Sequence, residues 1–230
     1  MDFSEYARPS LAVDPVVLYI VDGQLMTRLW RRRWDPDAGK WALPGVFVSE
    51  SESLEDAVRR GMSTKVDIDA RYIEQLFTWN KPERDERGWV VSVAYYAIVS
   101  ASQRSERAPS GEILDFAISV EGSGDAVQAL VTDDKGERVQ LAFDHEDILA
   151  AVIRRLRAEL WQTNLALHFL DEVFTLRALQ NVYEAILGRT LNKDSFRRRV
   201  TQTQELVQAT GAVEENVSHR PAELYRSTTS

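Results

Sequence analysis

The stretch from Trp41 to Lys65, WALPGVFVSESESLEDAVRRGMSTK, constrains the fold more tightly than any other part of the chain. Leu43-Pro44-Gly45 breaks a strand, because proline has no N–H to give a ladder and glycine accepts turn dihedrals. In the acidic run that follows, Ser53 and Asp56 have the spacing of a capping box. Leu54, Ala57, Val58 and Met62 then recur at helical spacing. The stretch reads as strand, glycine turn, acidic loop and amphipathic helix.

Around it the pattern has period 2. Pro15 to Val21 is an apolar run of strand length, Asp22-Gly23 is a turn signal, and Leu25 to Arg33 is the hairpin partner. On that partner Met26, Arg28, Trp30 and Arg32 share one face. Arg28 is a candidate for a phosphate, although a solvated strand-face arginine is the commoner account for any one of Arg28, Arg31, Arg32 or Arg33. Tyr72 to Trp79 is a further strand, Lys81 to Gly88 a polar loop, and Trp89 to Val99 is β-branched and aromatic throughout, as expected of a strand covered on both faces. Residues 101–142 say least: they hold two loops and a hairpin expected between Val127–Val131 and Arg138–Ala142.

The stretch Trp41–Lys65 resembles the Nudix hydrolase box. Glu52 and Arg60 match its pattern, Met62 and Ile68 hold its aliphatic positions, and Val46 and Asp67 replace its glycines. Gly61, Thr64 and Lys65 stand where the family has the helix glutamates that hold magnesium against a diphosphate. A hard cation demands oxygen ligands, and a glycine, a threonine and an ammonium group cannot supply them. The resemblance thus implies a Nudix scaffold with neither metal nor catalytic residue. PERDERGWVVSVAY resembles the loop and strand of Nudix proteins that handle ADP-ribose and of regulators derived from them. By that resemblance Arg84 and Arg87 are candidates for the diphosphate or ribose, since a guanidinium fork matches phosphate geometry. Phe77, Trp79 and Trp41 are candidates for stacking on adenine, with core packing the commoner use of each.

From Asp144 the period changes to 3.6. Ile148, Ala151, Val152, Leu156 and Leu160 form one face of a long helix whose other face carries Arg154, Arg155 and Arg157. LAFDHEDILAAVIRRLR resembles the joint between the two domains of Nudix-related transcriptional regulators, the NrtR family. His145 is read as a cap or packing residue, because no nucleophile motif surrounds it. Thr175 caps a helix from Leu176 to Leu187 that Gly188 ends. A short turn then leads to a second helix, expected from Lys193 to Val207 and terminated by Thr210-Gly211, the spacing of a helix-turn-helix. At 100° per residue Phe196, Val200 and Val207 share one sector, while Lys193, Arg197, Thr201 and Gln204 line the opposite side with Arg198 beside them; Ser195 joins this candidate DNA-binding set. Ala212–Val217, a polar turn and Ala222–Tyr225 are expected as a wing whose Arg220 and Arg226 meet the DNA backbone.

Charge agrees with that division. Residues 1–150 carry −10 and residues 151–230 carry +2, so only the second part approaches a polyanion broadly. With no cysteine, a disulfide framework, a thiolate metal site and a cysteine nucleophile are excluded. The start lacks a signal peptide's basic and apolar regions, no segment approaches the ~18 apolar residues of a membrane span, and the protein is expected in the cytoplasm.

The expected class is α+β: a Nudix-like α/β/α sandwich with a mixed sheet over residues 1–143, and a linker helix with a winged helix-turn-helix over residues 144–230. The resemblance implies a homodimeric repressor of NAD-metabolism genes that binds palindromic operator DNA and responds to ADP-ribose or a related nucleotide, with no other cofactor. Its expected ligand-binding residues are Arg28, Trp41, Glu52, Phe77, Arg84 and Arg87. Two rivals remain. One is an ADP-ribose hydrolase with a C-terminal extension, acting through Glu50, Glu52, Glu55 or Asp56. The other is an interaction module whose basic helix meets an acidic partner.

Overall fold

The computed structural model describes residues 5–104, 112–122, 126–203, 205–215 and 220–228. β1 (Ser10–Val21) and β2 (Gln24–Arg31) form a hairpin. Its turn residues Asp22 and Gly23 both have positive φ, 51° and 76°, the turn geometry that follows strand twist. The short β3 (Trp41–Ala42) pairs with β2 and β4 (Val46–Phe47) with β1, and Leu43-Pro44-Gly45 lies between them. α1 (Leu54–Val66) begins at Ser53, whose hydroxyl accepts the Asp56 N–H while the Asp56 carboxylate accepts the Ser53 N–H, completing the capping box.

β5 (Tyr72–Trp79), β6 (Val90–Ile98), β7 (Ile113–Glu121) and β8 (Gln128–Thr132) extend the sheet to the order β5-β6-β1-β2-β7-β8. β1 and β6 run parallel and the other pairs antiparallel, so the sheet is mixed. α2 (His145–Glu159) covers the face opposite α1. Along β6 the alternation shows why: Val93, Tyr95 and Ala97 are buried with Val58 and Met62 of α1, while Ala94, Tyr96 and Ile98 are buried with Ile148, Val152 and Leu156 of α2.

The hairpin expected between Val127–Val131 and Arg138–Ala142 forms at its turn, where Thr132 and Arg138 make an antiparallel bridge, Asp133 N–H bonds Glu137 O at 3.0 Å and Val139 N–H bonds Val131 O at 2.8 Å. Its second arm does not continue as a strand, and β8 pairs along its length with β7 instead. Several positions of β7 are half-exposed, which blurs the apolar alternation of this strand in the sequence.

The C-terminal part starts with a 3₁₀ turn, Leu165–Phe169, and β9 (Phe174–Thr175). α3 (Leu176–Leu187) has its expected caps: the Thr175 hydroxyl accepts the Ala178 N–H, and Gly188 ends it at φ 67°. α4 (Lys193–Arg198) starts at Asn192, whose side chain accepts the Ser195 N–H, and continues as a π-helical turn, Arg199–Thr203. β10 (Val207–Val213) and β11 (Glu223–Ser227) complete a three-stranded sheet of order β10-β11-β9.

The helix expected to run to Val207 therefore ends earlier, and the wing strand expected over Ala212–Val217 starts earlier. Leu206 N–H closes the helix end on Val200 O, and Val207 is buried as the first residue of β10. An apolar valine at that position suits a helix face and a strand start equally, so periodicity could not separate them.

α2 also carries the two parts as one packed unit. The cluster that fills the sheet face beneath α2 runs on through Leu160, Phe169, Leu179, Tyr183 and Phe196. Arg157 of α2 reinforces this by donating to Ile186 O at 2.9 Å and Leu187 O at 3.0 Å, a cation on the C-terminal carbonyls of α3. Leu156 is fully buried in that shared core. Leu156→Ala is expected to cost about 2–5 kcal/mol in denaturant unfolding. Tryptophan fluorescence and far-ultraviolet circular dichroism should then report one coincident transition; separate transitions for the two parts would contradict a shared core.

Candidate functional site

A cleft of about 720 Å³ opens between β1, β2, the break after β3, α1 and the loop before β6. A second hollow, of about 980 Å³, adjoins it and shares Arg84, Arg87 and Phe143. Arg84 is the anchor of this wall. Its guanidinium donates to Asp14 Oδ2 at 3.0 Å and to both oxygens of Asp144 at 2.8 and 3.1 Å, with its side chain only 5% exposed. Burial pushes the Asp14 carboxyl up, but the charges of His145 and Arg84 and hydrogen bonds from Ser92 and Arg84 outweigh it, and the group sits below its ordinary value. His145, 3.6 Å from Asp14, is itself held down by burial, and its Nδ1 accepts the Leu43 N–H at 3.1 Å.

Aromatic rings complete the cleft. Phe143 has φ 51°, a backbone rarely adopted by a bulky residue, and its ring lies 4.5 Å from the Arg32 guanidinium and 5.9 Å from that of Arg87. Phe47 is 46% exposed and Trp34 68% exposed at the rim, so both offer a ring face to a ligand. Arg87 is bidentate to Asp85 and leans over Phe47 at 5.4 Å.

The magnesium site implied by the Nudix pattern does not fit the residues present. Thr64 Oγ1 donates to Arg60 O at 2.6 Å, and the Lys65 ammonium donates to Gly45 O and stands 4.1 Å over the Trp30 ring. Gly61 faces Pro44 O so closely that a Cβ there would meet it at 2.4 Å, which leaves no room for a glutamate without moving the loop. Among the described residues no group of three acidic, histidine or cysteine side chains is placed to hold a metal ion.

The second candidate surface is α4. Lys193, Ser195, Arg197 and Arg198 are exposed, whereas Phe196 is buried against Trp161 and Tyr183 and Val200 is buried in the same cluster. The turn into α4 is braced from α3, where Glu184 accepts the Leu191 N–H and Gln180 donates to Leu191 O. Arg197 reaches the wing, 3.1 Å from the Tyr225 hydroxyl and 3.5 Å from Glu223. Arg220 is exposed just before β11. No helix among the described residues is long and apolar enough to cross a membrane.

Comparison with known proteins agrees with this two-part layout. The NUDIX domain profile matches residues 12–123, and the profile of the NrtR DNA-binding winged helix domain matches residues 166–227. The ADPR responsive transcriptional repressor NtrR of Acinetobacter baylyi is 33% identical over 230 residues, covering 97% of this chain and 84% of that protein. The chain belongs to the NrtR family.

Solved structures of Shewanella oneidensis NrtR match as well, two of them in complex. One, complexed with a 27mer DNA, is 34% identical with a TM-score of 0.75, over 94% of this chain and 93% of that one. The other, its NUDIX domain complexed with ADP ribose, is 32% identical with a TM-score of 0.51, over 68% of this chain and 94% of that one. The ADP-ribose pyrophosphatase of Methanocaldococcus jannaschii is 29% identical over 149 residues, covering 65% of this chain and 76% of that protein.

Within this NrtR-family chain the candidates taken from the sequence separate clearly. Arg84 and Arg87 line the cleft; Arg28, Trp41, Glu52 and Phe77 do not. Arg28 is buried and bidentate to Asp115, at 2.6 and 3.1 Å, so its charge is already matched. Trp41 packs edge-on to Phe116 at 4.9 Å in the core beneath α2, and Phe77 stands exposed on the edge strand β5, edge-on to Trp79. Glu52 is closed onto Arg60 at 2.6 and 3.0 Å, which with the Ser49 N–H holds its carboxyl down at about 2. On the DNA side Thr201 turns its hydroxyl back to Arg197 O. Arg226 lies beside Gln208 on the strand face opposite Tyr225, lining a hollow with Asp171 and Glu172, away from α4. Gln204 lies outside the described residues. Sequence reading missed Asp14, Lys65, Phe47 and Phe143; a lone aspartate inside the apolar run LAVDPVV was the available signal for a buried, paired charge.

Arg84→Met strands two buried carboxylates and is expected to cost about 3–5 kcal/mol at neutral pH. Because the folded Asp14 value is depressed, its contribution is present above about pH 4 and is lost as pH falls through the folded value. The difference in melting temperature from wild type should be widest near pH 7 and close in acid. A difference unchanged down to pH 3 would contradict the network.

Proposed function

We propose that the chain is a ligand-responsive transcriptional repressor of NAD-metabolism genes. Its cleft takes ADP-ribose or a related nucleotide without hydrolysing it, and its winged helix binds palindromic operator DNA as a cytoplasmic homodimer. No cofactor is needed beyond the effector. The observation that carries the reading is the double role of Arg84. It lines the cleft and also holds Asp144, the residue that starts α2, and α2 shares its core with the winged helix. A diphosphate entering the cleft offers that guanidinium a rival bidentate partner. A change at Asp144 then reaches the elements beneath α4.

The name of the A. baylyi relative and the DNA and ADP-ribose complexes of the S. oneidensis protein support the same reading. Loss of hydrolysis is supported by the donor set at Gly61, Thr64 and Lys65. On DNA, Lys193 and Arg197 stand near the N-terminal end of α4, where side chains in helix-turn-helix proteins reach base edges, with Arg198 alongside and Arg220 turned to phosphates. Two such helices in a dimer read inverted half-sites with centres ~10 bp, or a multiple of a helical turn, apart.

Anisotropy titration of duplexes from upstream of NAD-synthesis or salvage genes tests the DNA half. Arg197→Ala is expected to cost on the order of 1–3 kcal/mol on the operator and to relax sequence preference. Equal binding to every duplex would discard the regulator in favour of a general basic-helix contact. The similarity to the M. jannaschii pyrophosphatase favours hydrolysis as the second reading, and an AMP-release assay separates the two. With magnesium or manganese and ADP-ribose, AMP should form no faster than in buffer; metal-dependent release at an enzyme-like ~1 per second would establish the hydrolase instead.

A further inference from the structure

Lys65 is the one cleft group whose placement the repressor reading leaves unexplained. It comes from the last turn of α1, is half-buried, and has one of its three N–H donors on Gly45 O while its ammonium rests over Trp30. Asp14 is the carboxylate that acts on it, yet that carboxylate already serves Arg84 and Ser92. Arg32, Arg60 and Arg87 surround it with like charge. Burial, followed by those guanidiniums, pushes the ammonium down to about 8, so the positive charge is held at a cost that a bound anion would relieve. The other acids of the cleft do not relieve it: Asp85 is bidentate to Arg87, and Glu112 is paired with Arg33.

We propose that the Lys65 ammonium takes the place of the metal and is the counter-charge for the diphosphate of the bound nucleotide, so that the cleft binds its ligand without a divalent cation. The position supports this, because Lys65 stands where the Nudix pattern has a metal-holding glutamate and lines the same cleft as Arg84 and Arg87. A lysine there does both jobs a metal would share in binding: it supplies positive charge and strong donors to phosphate oxygens. It cannot activate water as a metal does, so binding and turnover separate.

The inference rests on the nucleotide-binding reading above, and the test is built to separate the two. Calorimetric titration of the full chain with ADP-ribose is run in EDTA and in saturating magnesium, with adenosine as a probe lacking phosphate. Wild type should bind ADP-ribose with the same affinity in both buffers. Lys65→Met should weaken ADP-ribose by ~10-fold or more, the scale of a lost charged hydrogen bond, and leave adenosine unchanged. Lys65→Arg should keep most of the affinity, and Lys65→Gln stands in should the methionine variant not fold. Absence of wild-type binding in both buffers would remove the nucleotide reading itself. Binding that requires magnesium, or a Lys65→Met protein that binds ADP-ribose as wild type does or loses adenosine equally, would overturn the role of Lys65 alone.

Discussion

The buried guanidinium of Arg84, shared between Asp14 and Asp144, is the interaction on which the rest of the structure depends. Each of the three charges would be costly alone with so little of it exposed, and together they satisfy one another with Ser92 and His145 around them. The network joins three elements distant in sequence: β1, the loop before β6 and the start of α2. It also dictates a glycine, because a Cβ at Gly45 would stand 1.9 Å from Asp14 Oδ1. The turn that opens the Nudix-like stretch is therefore shaped around this carboxylate as much as around its own backbone.

From that clasp the coupling runs through packing. α2 packs on the sheet and bonds the end of α3 through Arg157, while the tyrosine and phenylalanine behind α4 belong to the same cluster. Packed cores tend to switch between discrete arrangements rather than deform smoothly, so a shift at the start of α2 has a physical route to the wing and the basic helix. The cleft meanwhile combines cations and rings without the carboxylates that would hold a metal. That combination suits recognition of a nucleotide and is poorly suited to its cleavage.

Much of this was legible in the residues. The capping box at Ser53, the strand Tyr72–Trp79 and the caps of α3 follow from local rules that tertiary packing reinforces. Arg84 and Arg87 were found through resemblance rather than pattern, since RDER alone reads as a solvated loop. Arg28 misled because a strand arginine does not reveal its partner: Asp115 lies on β7, a strand whose half-exposed positions hid it. Lys65 was legible as a lost metal ligand but not as a cleft cation, because its position over Trp30 depends on how α1 and β2 approach one another. The end of α4 failed for a local reason, the apolar Val207 serving a strand as readily as a helix.

Coupling between cleft and operator is measurable from the ligand's side through binding linkage. The direct measurement is the Kd of ADP-ribose for the free protein and for the protein saturated with operator duplex, both in EDTA. Coupling through Arg84 and α2 predicts weaker ligand binding on the DNA complex, by the same factor by which saturating ADP-ribose weakens operator binding. Equal ligand affinity for the free and DNA-bound protein would contradict it.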